Sequence, residues 1–192
     1  MIPLPPAPGA DEHVSLALLG SRVTLPGGRV VDELDSPEAA TLWLVERDLA
    51  PEGTELLEYC QGRLTELRAT LRALFSAQVE GLPPDPGVVD AVNRALARVP
   101  SAPLLRYDGD RGLHRVPAHP LTKLVEHAMA QIAADAAALL TGEAADAVAR
   151  CAASPCDRFL LRTHARRHWC STRCGDRVRA SRAYARRQSG AR

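Results

Sequence analysis

The 192-residue sequence lacks the features that mark several classes of protein. No apolar stretch approaches the roughly 20 residues that a membrane-spanning helix needs. The first residues, MIPLPPAPGADEH, contain neither the basic nor the apolar segment of a signal peptide. Five cysteines do not make a disulfide-dense scaffold, and 46% hydrophobic with 24% charged residues is an ordinary globular composition. We therefore expect a soluble, cytoplasmic protein that does not bind membranes.

Familiar catalytic motifs are also missing. The sequence has no glycine-rich phosphate loop, no G-x-S-x-G motif and no close pair of carboxylates with a histidine. Aromatic residues make up only 4% of the chain, and the basic C-terminal part offers Trp169 and Tyr184 alone for stacking. That is too little for a platform that binds single-stranded nucleic acid. We expect a protein that is not an enzyme.

The net charge of +1 hides an asymmetry between the two parts of the chain. Residues 1–149 contain 12 Arg or Lys and 21 Asp or Glu, a balance of −9, whereas residues 150–192 contain 12 Arg and 2 acids, a balance of +10. Such asymmetry predicts two parts with different partners. We divide the chain into a loose, proline-rich tail (residues 1–12), an N-terminal domain (residues 13–149) and a basic module (residues 150–192).

The N-terminal domain is predicted to be α+β, mostly α-helical with two short β-hairpins. Apolar residues at three- and four-residue steps from Leu56 to Val79 predict a long helix, which Gly81 ends. A shorter helix is predicted from Asp85 to Pro100, and an alanine-rich helix from Pro120 to about Thr141. These helices and the hairpins are enough to bury one core.

Local signals predict the remaining elements of this domain. Ser36 as N-cap and Pro37 in the first turn start a helix that runs to about Asp48. We expect its inward-facing residues to be Leu42, Trp43 and Val45. Residues 13–33 are predicted to be β, since Val14, Leu16 and Leu18 alternate with smaller residues and a Pro-Gly-Gly turn follows. Residues 104–116 predict the second hairpin.

Four cysteines of the basic module form two close pairs, with the spacing C-x4-C-x13-C-x3-C: Cys151, Cys156, Cys170 and Cys174. Two such pairs indicate a structural zinc site, because each pair forms a knuckle whose thiolates converge on one tetrahedral ion. A module this short has too little core to fold alone, so the metal would supply stability. The alternatives are two disulfides, which a cytoplasmic protein disfavours, or free buried thiols. We expect one Zn²⁺ per chain.

The other candidate ligands are weaker. His164 and His168 lie four residues apart, but a site built on them would leave Cys170 and Cys174 unused. We expect these histidines on the surface of a basic turn or in contact with phosphate. Cys60 lies on the apolar face of the long helix, where a small buried hydrophobic residue is the expectation.

A basic helix is predicted from about Ser171, with Val178, Ser181 and Ala185 as a narrow strip facing the zinc core. Solvated helix faces usually mix the two signs of charge, whereas here the positive excess is nearly pure. This favours nucleic acid as the partner. The candidate contacts are Arg166, Arg167, Arg173, Arg177, Arg179, Arg182, Arg186 and Arg187.

Three segments of the module carry a family resemblance: Phe159-Leu160-Leu161, the run Arg166-Arg167-His168-Trp169-Cys170-Ser171, and Cys174-Gly175-Asp176-Arg177. Together they resemble the CGNR zinc finger, with Asp176 in place of the family's Asn. The first 150 residues are similar in layout to the ABATE domain that precedes this finger, with Trp43-Leu44 in its Trp-Leu helix. The resemblance implies a bacterial, stress-linked transcription regulator.

The substitution at Asp176 has a chemical consequence. An Asn side chain donates and accepts hydrogen bonds, whereas an ionised Asp only accepts and would repel phosphate. We therefore expect a local structural role for Asp176, in capping or in pairing with Arg177 or Arg173.

Taken together, the sequence favours a zinc-containing transcription regulator. Its basic module would bind nucleic acid, most simply duplex DNA through phosphates. The N-terminal domain would sense a signal or form a homodimer. Two alternatives stay open: a zinc-stapled interaction module that docks an acidic protein partner, and an N-terminal domain that is an enzyme or binds a small molecule.

Overall fold

The computed structural model describes residues 5–98, 104–116 and 123–189. Four helices build the N-terminal core: α1 (Val14–Gly20), α3 (Glu58–Glu80), α4 (Pro86–Ala97) and α5 (Leu124–Thr141). Helix α3 packs against the other three, and α1 and α4 also contact α5. The fully buried side chains include Leu64, Leu71 and Phe75 of α3 and Ile132 of α5. The predicted class, a mostly helical α+β domain with short hairpins, is confirmed.

Helix α3 follows its sequence pattern closely. It runs for 23 residues and buries the middle of the predicted apolar stripe, while the ends of the stripe are partly buried. Its other face carries Glu and Arg. Gly81 ends it with φ of +65°, a left-handed conformation that glycine adopts without steric cost. Half-buried Cys60 packs against this core, as expected of a small apolar residue.

Helix α1 corrects the prediction of a strand from Val14 to Leu18. Its segment is apolar on almost every side, and Leu16, Leu18 and Leu19 are fully buried, so the pattern alone does not separate helix from strand. A carboxylate distant in sequence settles the conformation. Asp135 of α5 accepts hydrogen bonds from the Ser15 backbone N–H (2.8 Å) and from its hydroxyl (2.5 Å), and so satisfies the start of the helix.

The predicted hairpins are present. Strands β1 (Arg22–Thr24) and β2 (Val30–Asp32) pair antiparallel around a turn in which Gly27 and Gly28 both have positive φ. Strands β3 (Leu104–Asp108) and β4 (Gly112–Val116) form the second hairpin.

Helix α2 (Pro37–Val45) starts as predicted, because the Ser36 hydroxyl accepts from the Ala39 N–H at 3.2 Å. It ends three residues before the expected Asp48. Leu42, expected inside, is 58% exposed, whereas Trp43 and Leu44 are buried. The Asp85 cap of α4 is present, but the predicted ends at Pro100 and Pro120 lie outside the described residues.

A third hairpin, absent from the sequence prediction, joins the basic module to the helical core. Strands β5 (Val148–Arg150) and β6 (Phe159–Leu161) pair antiparallel. Phe159 is buried in the main core, where its ring meets Phe75 edge to face at 5.7 Å between centroids. The long final helix, α6 (Thr172–Ser189), begins as predicted.

The chain before α1 also packs against this hairpin, although the sequence predicted a loose tail. The Leu161 N–H donates to the Pro8 carbonyl at 2.8 Å, and the Arg158 guanidinium donates to the Pro5 carbonyl at 2.9 Å. Ala7 is buried at 1% exposure. Of the helices that the structure describes, none is long and apolar enough to cross a bilayer.

Candidate metal centre

The four predicted cysteines converge at one point. Their sulfur atoms all lie within 4.8 Å of one another, and the Sγ of Cys170 is 3.7 Å from those of Cys156 and Cys174. All four residues are buried, and none forms a disulfide. The disulfide alternative is therefore wrong for this structure. Four buried sulfur atoms so close together match the donor set of a tetrahedral structural zinc site.

Backbone hydrogen bonds hold the two knuckles in place. Cys151 follows β5, and its N–H donates to the Arg158 carbonyl at 2.8 Å, which closes the loop that carries Cys156. Cys170 precedes α6 and its N–H donates to the Cys151 sulfur at 3.4 Å. Cys174 lies in the first turn of α6, where its N–H donates to the Ser171 hydroxyl at 3.2 Å. Hairpin and helix thus each supply one pair of thiols.

The segment from Cys174 to Arg177 supports the site in three ways. Gly175 allows the Trp169 ring to approach closely, since a Cβ at this position would lie only 3.0 Å from the ring. Asp176 makes a salt bridge with Arg179 at 2.7 Å, a local structural role as expected, although with a different arginine. Arg177 donates to the Ala153 carbonyl at 2.6 Å and lies 3.7 Å from the Cys174 sulfur.

Close contact between the cysteines shifts the pKa values of their thiols in opposite directions. Hydrogen bonds from the Cys156 and Cys170 thiols lower the pKa of Cys151 to about 2. The same contacts with Cys151 raise the pKa of Cys156 above its ordinary value and that of Cys170 to about 11. Thiols packed this closely therefore compete for negative charge. A divalent cation bound to all four would relieve this conflict, because it stabilises every ligand as a thiolate.

The histidines do not join this cluster. His164 and His168 are exposed in the loop that leads to Cys170, as expected of surface residues. Among the described residues, the four cysteines are the group of potential ligands close enough to hold a metal ion.

The arginines of the module divide into two groups. Arg177 points inward to the metal centre, and Arg179 stacks over Trp169 at 5.5 Å from the ring centroid. The remaining candidate contacts of α6 are exposed and make no ion pair with any described carboxylate: Arg173, Arg182, Arg186 and Arg187. Arg166 and Arg167 lie in the loop before Cys170, where Arg167 bonds the Thr163 hydroxyl at 3.2 Å.

The predicted apolar strip of α6 is only partly correct. Val178 packs against the cysteine cluster, but Ser181 and Ala185 are exposed. Beyond its first two turns the helix leaves the zinc module and stands in solvent. Its outer half is therefore accessible on most sides.

The fold and site define a class: a helical domain to which a four-cysteine zinc module is docked, with a basic helix projecting from it. Comparison with protein families gives the same division. Residues 12–143 match ABATE, described as "Putative stress-induced transcription regulator", and residues 148–187 match the CGNR zinc finger. The chain belongs to the ABATE family and carries a CGNR zinc finger that holds one zinc ion. No curated protein matches the chain.

Proposed function

We propose that this protein is a transcription regulator that binds duplex DNA through α6. The observation that carries the proposal is the exposed, unpaired set of arginines on the outer part of this helix. Among the described residues, the one acid that pairs with an α6 arginine is Asp176, within the helix itself. No described carboxylate of the N-terminal domain pairs with Arg182 or Arg186. These guanidinium groups therefore remain available for phosphates.

The zinc module supplies the rigidity that such a helix needs. Cys174 fixes the first turn of α6 to the metal centre, and Phe159 fixes the module to the helical core. A helix of 18 residues with this density of like charge is weak by itself, because neighbouring arginines repel one another. Anchoring one end and neutralising the other with phosphates stabilises it.

We further propose that the chain is a binding protein rather than an enzyme. Among the described residues, Ser15, His13 and Asp135 form a group of the three residue types found in hydrolase triads. Asp135 lies between the other two and contacts both. Ser15 is fully buried, and its hydroxyl donates to Asp135 instead of to the histidine. This arrangement caps α1 and does not activate a nucleophile. The cytoplasm suits the protein, because its reducing conditions keep the thiols available for zinc.

The test measures the affinity of the zinc-loaded full chain for duplex DNA at a series of salt concentrations, with fluorescence anisotropy as the readout. Affinity should fall with a log–log slope of about 0.9 per phosphate contacted. The double variant Arg182→Gln/Arg186→Gln should lower that slope by about 1.8, since two contacts are lost. The matched control is Arg94→Gln/Arg98→Gln, two exposed arginines on α4 and at its C-cap that should leave the slope unchanged.

Two results would contradict the proposal. One is the absence of binding to random duplex DNA at low salt. The other is an equal reduction of the salt slope in the α4 control, which would mean that any surface arginine contributes to DNA binding. In the first case the acidic protein partner becomes the better hypothesis.

A further inference from the structure

A cleft of about 540 Å³ separates the β1–β2 hairpin from the zinc module. Val23, Leu25 and Val31 of the hairpin line one side, and the loop carrying Cys170 and Ser171 lines the other. The volume lies within the range of about 300–1,000 Å³ that small-molecule sites occupy. Since its walls come from both ends of the sequence, a molecule bound there would contact both domains at once.

Four arginines line this cleft: Arg29, Arg158, Arg173 and Arg177. None of them makes an ion pair with a described carboxylate. Arg158 is the most informative, because it is only 5% exposed and its Nε atom is buried without a hydrogen-bond partner. A buried guanidinium N–H left unpaired costs free energy, which a bound acceptor would recover.

Three carboxylates also line the cleft: Asp32, Glu33 and Asp35. Asp32 is bound by Arg68 through two hydrogen bonds of 2.6 and 2.7 Å. Glu33 is an exposed carboxylate whose charge attracts that of Arg158, although the two groups form no ion pair. Asp35 is also exposed and has no ion pair among the described residues. The zinc thiolates face Arg177, whose Nη2 atom lies 3.7 Å from the Cys174 sulfur.

Arg29, Arg158 and Arg173 thus line the cleft without an ion pair to a described carboxylate, next to its apolar wall. The geometry points to a binding site for a small amphiphilic anion, with its apolar body against Val23, Leu25 and Val31 and a carboxylate or phosphate head at Arg158 and Arg173. Arg173 is also a candidate DNA contact, so such a ligand would compete with phosphate for it. The binding itself does not depend on the proposed function and is measured without DNA.

A neighbouring cleft helps to set the stoichiometry. It has a volume of about 690 Å³ and shares Arg158 and Glu33, but its other charged lining is mostly acidic: Asp11, Glu12, Glu46 and Asp48, with Arg47. Because four carboxylates repel an anion, we expect one anion site per chain, on the hairpin side of Arg158.

The experiment is isothermal titration calorimetry of the zinc-loaded full chain with octanoate, octyl phosphate and octylammonium. These probes share an apolar tail and differ in the head. One equivalent of octanoate or of octyl phosphate should bind, and the tighter of the two identifies the preferred head. Arg173→Gln should weaken that binding by about tenfold or more, the effect of losing one charge-assisted hydrogen bond. Arg186→Gln, on the distant part of α6, should leave it unchanged.

A second variant tests the buried group. Arg158→Met should also weaken anion binding by about tenfold or more, provided that its zinc content and circular dichroism match those of the parent. If that variant does not fold, Val31→Asp, which puts a carboxylate into the apolar wall, should weaken binding to a similar extent. Failure of both anions to bind below about 1 mM would overturn the proposal. So would equal or tighter binding of octylammonium, or an equal loss in the Arg186→Gln variant.

Discussion

Phe159 gives the sharpest test of how the two domains depend on each other. It belongs to β6 of the zinc module, yet its ring is 1% exposed within the helical core. It meets Phe75 edge to face, and the guanidinium groups of Arg72 and Arg150 lie 5.6 and 5.4 Å from its centroid. We predict that Phe159→Ala weakens the helical core and the metal centre together.

The magnitude follows from the burial. Truncation of a fully buried Phe to Ala costs about 3–5 kcal/mol, and here includes the loss of one aromatic pair. With a denaturant slope of about 2 kcal/mol per molar urea, a loss of 4 kcal/mol lowers the unfolding midpoint by about 2 M. The control is Tyr184→Ala, an aromatic truncation at a 65% exposed position of α6, which should change stability by less than about 0.5 kcal/mol.

The assay follows two signals through one urea titration. Far-ultraviolet circular dichroism reports helix content, and a chromogenic chelator reports released zinc. We expect the two curves to coincide in the parent and to move together in Phe159→Ala. Zinc release at clearly lower urea than helix loss in the parent would refute the reasoning, as would a variant in which only one curve moves.

Two further changes test the metal centre and the packing of β2. Cys174→Ser should abolish the single equivalent of zinc found by elemental analysis, while His164→Ala should retain it; full retention in Cys174→Ser would sink the ligand assignment. Asp32→Asn should destabilise the fold by about 3 kcal/mol, because it leaves the buried Arg68 charge unpaired, whereas Asp35→Asn at an exposed carboxylate should stay within about 0.5 kcal/mol. Burial opposes the ionisation of Asp32, but the Arg68 hydrogen bonds, the Leu34 N–H and the charges of Arg68 and Arg22 together outweigh it and lower its pKa. The stabilising effect of ionised Asp32 is therefore complete above the unfolded pKa of about 3.9 and is lost as pH falls through the lower folded value. In acid, the free energy of unfolding should therefore change less with pH in the Asn variant than in the parent.

The success of the sequence prediction depends on whether the relevant signal is local. Helix α3 was predictable because its stripe repeats over many turns and Gly81 marks its end. The zinc ligands were predictable because knuckle spacing is a local constraint on the chain. Helix α1 was not, since the carboxylate that caps it comes from Asp135, 120 residues after Ser15. Helical spacing places Val178, Ser181 and Ala185 of α6 on one strip, but it cannot show that the helix extends beyond the zinc core after its first two turns.

Strands β5 and β6 and the anion cleft escaped prediction for a related reason. Each strand has three residues, too short for an alternating pattern to stand out. The cleft exists only where the β1–β2 hairpin faces a loop that lies more than a hundred residues later. In sequence, Arg158, Arg173 and Arg177 belong to the basic excess of the module, and only the structure brings them together with Arg29 at one cleft.

The packing of the first residues bears on the order in which the molecule is completed. Ala7 lies in the same apolar cluster as all four cysteines, and the Pro8 carbonyl pairs with β6. During synthesis their partners are made about 150 residues later, so the two segments can meet only after the second has left the ribosome. Contacts between such distant segments slow folding. The helical core shares this requirement, because α1 packs against α5 and Phe159 of β6 is buried in the core. Core and metal centre are therefore completed by the same late part of the chain.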